Sequence, residues 1–196
     1  MPARQNPLTA GTEGPTVSVM IVRRERSDDI DAIHAVTAAA FRGVEYSLPP
    51  AEPGGDPGEA TLVSWLRDDA GWIPELSLVA IEDDQVVGHV LATRAYVEGR
   101  PALGLGPLSV LPRRQRAGVG SALMHAVLGA ADALGEPLVA LLGNPAYYNR
   151  FGFVPAQPVG VVAPVSGWGD NFQVRTLSQY DGQAGRFQYA EPFDRI

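Results

Sequence analysis

The stretch Val110-Leu111-Pro112-Arg113-Arg114-Gln115-Arg116-Ala117-Gly118-Val119-Gly120-Ser121 gathers the groups in this chain best suited to holding an anion. Three arginines fall within four residues, and a Gly-x-Gly turn follows. Cations beside the positive end of a helix are mildly unfavourable alone and become favourable once an anion sits between them. Glycines there let backbone N–H groups approach a ligand with no side chain intervening. The chemistry is the holding of a phosphate; the competing reading is a solvated basic helix start. A Walker loop would need Gly-Lys-Ser/Thr, and no lysine stands before Ser121. A dinucleotide fingerprint would need a small residue where Leu123 stands and an acid where Leu142-Gly143-Asn144 stands, so it fits weakly.

A second set of groups could move protons. Tyr148 carries a phenol, neutral near pH 7 because its pKa is about 10, and able to donate a proton. Its competing role, and the one assigned to Tyr147, is packing against Phe151 and Phe153. Glu45, Glu59 and His89 are the candidate bases. Glu59 heads a helix, where a carboxylate also complements the dipole, and His89 lies on a strand of unknown facing, so no base is assigned. His34 and His125 sit on expected helices without partners at ligand spacing, and no metal site is expected.

The elements that must position these groups follow from periodicity. The β-branched run 17–22 suits a strand, and Ser27-Asp28-Asp29 supplies a helix cap ahead of Ile30, Ile33, Ala35 and Val36. A Pro- and Gly-rich loop over 43–58 carries Glu45, Glu52 and Asp56 and precedes a helix over 59–69. Runs 76–81, 86–97 and 102–111, joined by short turns, form an antiparallel meander. From Gly118, apolar residues at helical spacing run to Leu134 and stop at Gly135; the buried run 138–142 follows. Strand, helix and strand here imply a parallel pair with a crossover helix. Residues 159–165, 173–177 and 186–189 are expected as extended closing segments.

The 196 residues, 45% of them hydrophobic, suit one domain over 17–196, its part 157–196 the least readable, behind a disordered tail at 1–16. No apolar run approaches the roughly 20 residues of a membrane span. With no cysteine, the chain has no disulfide framework or thiolate nucleophile, which fits a reducing, cytoplasmic setting. A net charge of −7 disfavours broad nucleic-acid binding.

The segment Gln115-Arg116-Ala117-Gly118-Val119-Gly120 resembles the Q/R-x-x-G-x-G/A signature of the GNAT superfamily of N-acetyltransferases. Residues 141–153, with Asn144, Tyr148 and Gly152-Phe153, are similar to that superfamily's strand, Asn, Tyr-bearing helix and Gly-Phe. Leu78-Val79-Ala80, Val86-Val87-Gly88-His89, Leu105-Gly106-Pro107-Leu108-Ser109-Val110 and Pro145-Ala146-Tyr147-Tyr148 resemble in particular the YhbS-like acetyltransferases, and similarity extends over about residues 19 to 153. The resemblance implies an α+β fold with a mixed, mainly antiparallel sheet of about six or seven strands and helices on both faces. It implies acetyl transfer from acetyl-CoA to the amine of a small molecule or peptide, with no metal, and it is compatible with a homodimer. Leu108, Ser109, Val110, Gln115, Arg116, Ala117, Gly118, Val119, Gly120, Ser121 and Asn144 would bind acetyl-CoA, and Tyr148 would be the general acid. Glu45, Glu52 and Asp56 lean toward a cationic acceptor. The rival functions are a non-catalytic acyl-CoA sensor, which has no use for Tyr148, and a nucleotide-binding regulatory domain.

Overall fold

The computed structural model describes residues 19–195; the tail expected at 1–16 lies outside them. The first strand, β1 (Ile21–Arg24), pairs antiparallel with residues 78–81. Of the run expected over 17–22, residues 17 and 18 lie outside the described residues, and the strand begins at Ile21, where pairing with Ile81 starts. A short 3-10 turn leads into α1 (Ile30–Phe41). Asp29 does not cap α1 as expected: its carboxylate accepts from Arg26 N–H at 2.7 Å and pairs with Arg23 at 2.6 Å, one turn earlier. After the loop comes α2 (Gly58–Arg67).

Next come β2 (Ser77–Glu82) and β3 (Gln85–Val97), joined by Asp83 and Asp84 at φ of 48° and 57°. Successive positive φ values in a two-residue link match the right-handed twist of a hairpin. The strand expected over 102–111 is two pieces, β4 (Arg100–Leu105) and β5 (Ser109–Val110), both antiparallel to β3. Leu105 faces Ala92 and Ser109 faces His89, so this side carries one residue more than β3 and bulges. Pro107, which has no N–H to donate, sits in the bulge.

The crossover helix α3 (Val119–Ala133) leads to β6 (Leu138–Leu142), parallel to β4 as expected. There follow α4 (Pro145–Tyr148), β7 (Val154–Pro155), β8 (Val161–Val162), β9 (Phe172–Thr176) and β10 (Gly185–Gln188). Seven strands lie in the order β1-β2-β3-β4-β6-β9-β7; β5 and β10 add to β3, and β8 adds to β10. Helices α1 and α2 bury Ile33, Leu62, Val63 and Leu66 against Val79 and Leu91 on one face. On the other face, α3 buries Leu123, Met124 and Val127 against Val90 and Ala92. Each such side chain contributes about 1.5–3 kcal/mol when fully buried.

One gap in the sheet positions the site. The ladder between β4 and β6 consists of Leu103 opposite Val139 and Gly104 opposite Ala140. Beyond Gly104 the bulge turns β5 away, while β6 continues on β9 as far as Leu142 opposite Phe172. The two strands therefore part, leaving an open edge on each.

Candidate active site

The loop ahead of α3 is built to present backbone N–H groups. Arg116 and Gly118 both adopt left-handed conformations, with φ of 62° and 88°. For arginine that conformation is strained, and successive turns of this kind cup backbone amides around an anion. Gly118 caps the helix with no side-chain hydrogen bond, and backbone bonding resumes at Ala122 N–H to Gly118 O, 3.0 Å. The first-turn N–H groups thus stay available beside the positive helix end. Val119 turns its side chain into the core and Ser121 is half-buried, so both contribute to the loop mainly through the backbone; Ala117 is exposed. The three arginines are not equivalent. Arg114 is held by Glu82, and Arg113 reaches Gln85 at 3.4 Å. Arg116 is exposed and, among the described residues, makes no ion pair.

Three segments distant in sequence meet at Gly120. A β-carbon on Gly120 would lie 2.8 Å from Tyr147 Oη, 3.6 Å from Val110 Cγ2 and 3.9 Å from Leu108 Cδ2. The strand edge, the glycine loop and the tyrosine helix are thus brought together, though Tyr147 and not Tyr148 touches the loop. Its ring also stacks under the Arg150 guanidinium at 4.3 Å, a position that sequence reasoning reduced to packing. Leu111 N–H bonds Val87 O at 3.0 Å, so by the alternation of an antiparallel strand Val110 N–H faces the open edge. Gln115 Nε2 donates to Val110 O at 3.2 Å on that same outer side. Ser109 is fully buried and donates its hydroxyl to Thr37 at 3.1 Å. Asn144 Oδ1 accepts from Ala146 N–H at 2.9 Å, capping α4 and fixing the angle at which Tyr147 and Tyr148 leave β6.

Tyr148 packs edge-on against Tyr147 and Phe153, with ring centroids 4.9 and 5.9 Å away, and Gly143 leaves room for its ring. Burial, reinforced by the Tyr147 phenol, pushes its pKa upward, so it stays a neutral donor.

The candidate bases are committed elsewhere. Glu59 accepts from Ser47 Oγ and Leu48 N–H, both at 2.8 Å, and so clamps the loop onto α2. His89 is fully buried, 2.9 Å from Ser77 Oγ and 3.4 Å from Glu25, which also holds Arg67 at 2.8 Å. Desolvation drives the His89 pKa down despite Glu25, and its ring reaches no surface. Glu45 is exposed on the loop, whereas Asp56 is taken by Arg42 at 2.6 Å and His34 at 3.2 Å. Among the described residues no group of three or more His, Asp or Glu could hold a metal ion, and no helix is long and apolar enough to cross a membrane.

An open strand edge beside an amide-lined helix start, with a phenol between them, is the arrangement of an acyltransferase that binds a pyrophosphate-bearing thioester. Residues 74–155 match a family model described as an acetyltransferase (GNAT) domain. Over 182 residues the chain is 31% identical to the uncharacterized N-acetyltransferase YhbS of Escherichia coli K12, which covers 90% of this chain and 100% of that protein. The chain belongs to the GNAT family of acetyl-CoA-dependent N-acetyltransferases. It is also 40% identical over 111 residues to the uncharacterized N-acetyltransferase YjhQ of the same organism, an alignment spanning 54% of this chain and 61% of that one. Among solved structures, a GNAT family acetyltransferase from Brucella melitensis in complex with acetyl-CoA matches with a TM-score of 0.72 and 34% identity, covering 90% of this chain and 99% of that one. Escherichia coli YhbS in complex with CoA matches with a TM-score of 0.77 and 29% identity, covering 95% and 97%.

Proposed function

We propose that the protein transfers the acetyl group of acetyl-CoA to a primary amine by direct attack on the thioester. The observation that carries the proposal is the meeting of Leu108, Val110 and Tyr147 at Gly120, with Tyr148 packed edge-on against Tyr147. In this reading the N–H groups of residues 116–121 and the Arg116 guanidinium hold the pyrophosphate, and the pantetheine arm lies along the open edge of β5. The acetyl-CoA and CoA bound in the two relatives support the same donor here.

The amine nitrogen adds to the carbonyl carbon, and Val110 N–H, facing the open edge, stabilises the developing oxyanion. Collapse breaks the carbon–sulfur bond; Tyr148 gives its proton to the departing thiolate and is reprotonated from solvent, while the amine's surplus proton leaves to water. With Asp56 and Glu59 bonded within the chain, a cationic acceptor would be recognised by Glu45 and Glu52. We assign the enzyme to the cytoplasm, the setting that its cysteine-free composition fits.

The test separates binding from catalysis. Acetyl-CoA should bind in the micromolar range and raise the melting temperature. Thiol release in a screen of polyamines, amino acids, aminoglycosides and peptide N-termini should identify the acceptor. With it, Tyr148→Phe should lower kcat by about 10²–10⁴-fold with acetyl-CoA affinity nearly unchanged, and the loss should shrink for a thioester with a more acidic leaving thiol. No heat and no thermal shift at millimolar acetyl-CoA would remove the donor assignment, and a Tyr148→Phe enzyme within about threefold of wild type would return Tyr148 to packing.

A further inference from the structure

Tyr189 lies just past β10, in the part of the chain least readable from sequence, yet its ring rests on the strand that splits. A β-carbon on Gly104 would lie 2.6 Å from Tyr189 Cδ1 and 2.9 Å from Cε1, so only glycine at 104 admits the ring. Gly104 is also the last residue of β4 that pairs with β6 before the strands part. Tyr189 therefore marks the apex of the opening, on the face that carries α1 and α2.

Its surroundings do not explain its hydroxyl. Phe187 and Phe193 pack on the ring with centroids 4.7 and 4.5 Å away, and Trp168 and Phe172 lie at 6.2 and 6.4 Å. The three phenylalanines carry no polar atom, and a phenylalanine at 189 would fill the same space against them. Tyrosine hydroxyls usually find a partner; Tyr189 is half-buried, and among the described residues its hydroxyl makes no hydrogen bond. Thr93, opposite Gly104 in register and so on the same face, is fully buried with Oγ1 likewise unpartnered. Two unmatched polar groups thus flank the apex. Tyr147 and Tyr148 meet edge-on at 4.9 Å, and Tyr189 feels Tyr148 electrostatically.

We propose that Tyr189 is the residue that receives the acceptor: its phenol oxygen accepts a hydrogen bond from the incoming amine N–H and turns the nitrogen lone pair toward the thioester carbonyl. The proposal rests on the acetyltransferase reading above and adds the acceptor side to it. Tyr189 takes no proton in this role. Burial opposes its phenolate, so it orients the nitrogen and leaves deprotonation to water.

The test uses the full chain and two coenzyme A thioethers that carry the acceptor atom themselves, one ending in S–CH2–C(=O)–NH–CH3 and the other in the ester S–CH2–C(=O)–O–CH3, with coenzyme A as reference. Calorimetry on wild type should show the amide binding about 5–10-fold tighter than the ester, the size of one neutral hydrogen bond. In Tyr189→Phe that preference should vanish while coenzyme A affinity stays within about twofold. The amide–ester comparison in wild type needs no folded variant. Equal binding of the two in wild type, or an unchanged preference in Tyr189→Phe, overturns the proposal while leaving the donor assignment intact. Failure of coenzyme A itself to bind overturns the transferase reading and this proposal with it.

Discussion

The three arginines ahead of α3 differ in what restrains them, and the difference is measurable. Arg114 is neutralised by Glu82, whereas Arg116 is exposed beside amides that have no internal acceptor. Arg116→Ala should weaken coenzyme A binding by about tenfold and flatten its salt dependence, because charge-assisted contacts to phosphate are lost. Arg114→Ala should change affinity by less than about twofold, since its charge is already committed. Titrations across a salt series check both, and equal losses for the two variants would mean that the Glu82 pair opens on binding. Glu59 makes a second contrast. Glu59→Gln keeps the side chain's shape but weakens the bonds to Ser47 and Leu48. Amide exchange over 43–57 should speed up while acetyl-CoA affinity holds. A loss of kcat with unchanged exchange would instead make Glu59 the base.

The start of α3 and the bulge between β4 and β5 work as a pair, and Gly120 joins them. Gly120→Val should abolish the thermal shift given by acetyl-CoA yet leave the unliganded protein folded. The new side chain fills space between Leu108 and Val110, and the atom it meets first, Tyr147 Oη, lies at the end of a half-exposed ring that can swing aside. Persistence of the shift would relocate the phosphates. Elements of this kind differ in how much of them could be read in advance. The bounds of α3 and β6 were legible because a long apolar period ends at Gly135, whose φ of 76° needs glycine, and an unbroken apolar run follows. The loop ahead of α3 stood out because its glycines and arginines are adjacent in the chain. The strand split did not: residues 102–111 read as one strand, and only the register against β3 reveals the extra residue. His89 and Glu59 were visible as residue types, but their partners, Ser77 and Glu25 in one case and the loop backbone in the other, are fixed by packing that no local pattern encodes. Tyr189 was read as part of a closing strand, and nothing near it in sequence points to Gly104.

At the scale of the whole molecule, a buried polar cluster couples stability to pH. Burial would raise the Glu25 carboxyl, but bonds from His89, Arg67 and Ser77 outweigh it and hold the pKa at about 2, below the ordinary 4.5. Glu25 therefore adds stability above about pH 4.5 that is lost as pH falls toward 2. His89 acts in the same direction: its folded pKa is depressed by burial, so the unfolded chain takes up its proton first, near 6.5. Its contribution is complete above that value and declines below it. The melting temperature should fall continuously from pH 7 to pH 4, and His89→Leu, though less stable throughout, should flatten the slope just below 6.5. A wild-type melting temperature independent of pH over that range would rule this coupling out. The closing strand β10 has a consequence for synthesis. It lies against Tyr96 and Val97, with Glu98 N–H bonded to Arg186 O at 3.1 Å, and the chain beyond it lays Tyr189 on Gly104. On a ribosome the glycine loop, the split strand and the tyrosine helix emerge well before this segment. Contacts between such distant parts of a chain are also the slow ones to form. The wall over Gly104 is therefore among the last parts to form, after the segments that meet at Gly120 have already left the ribosome.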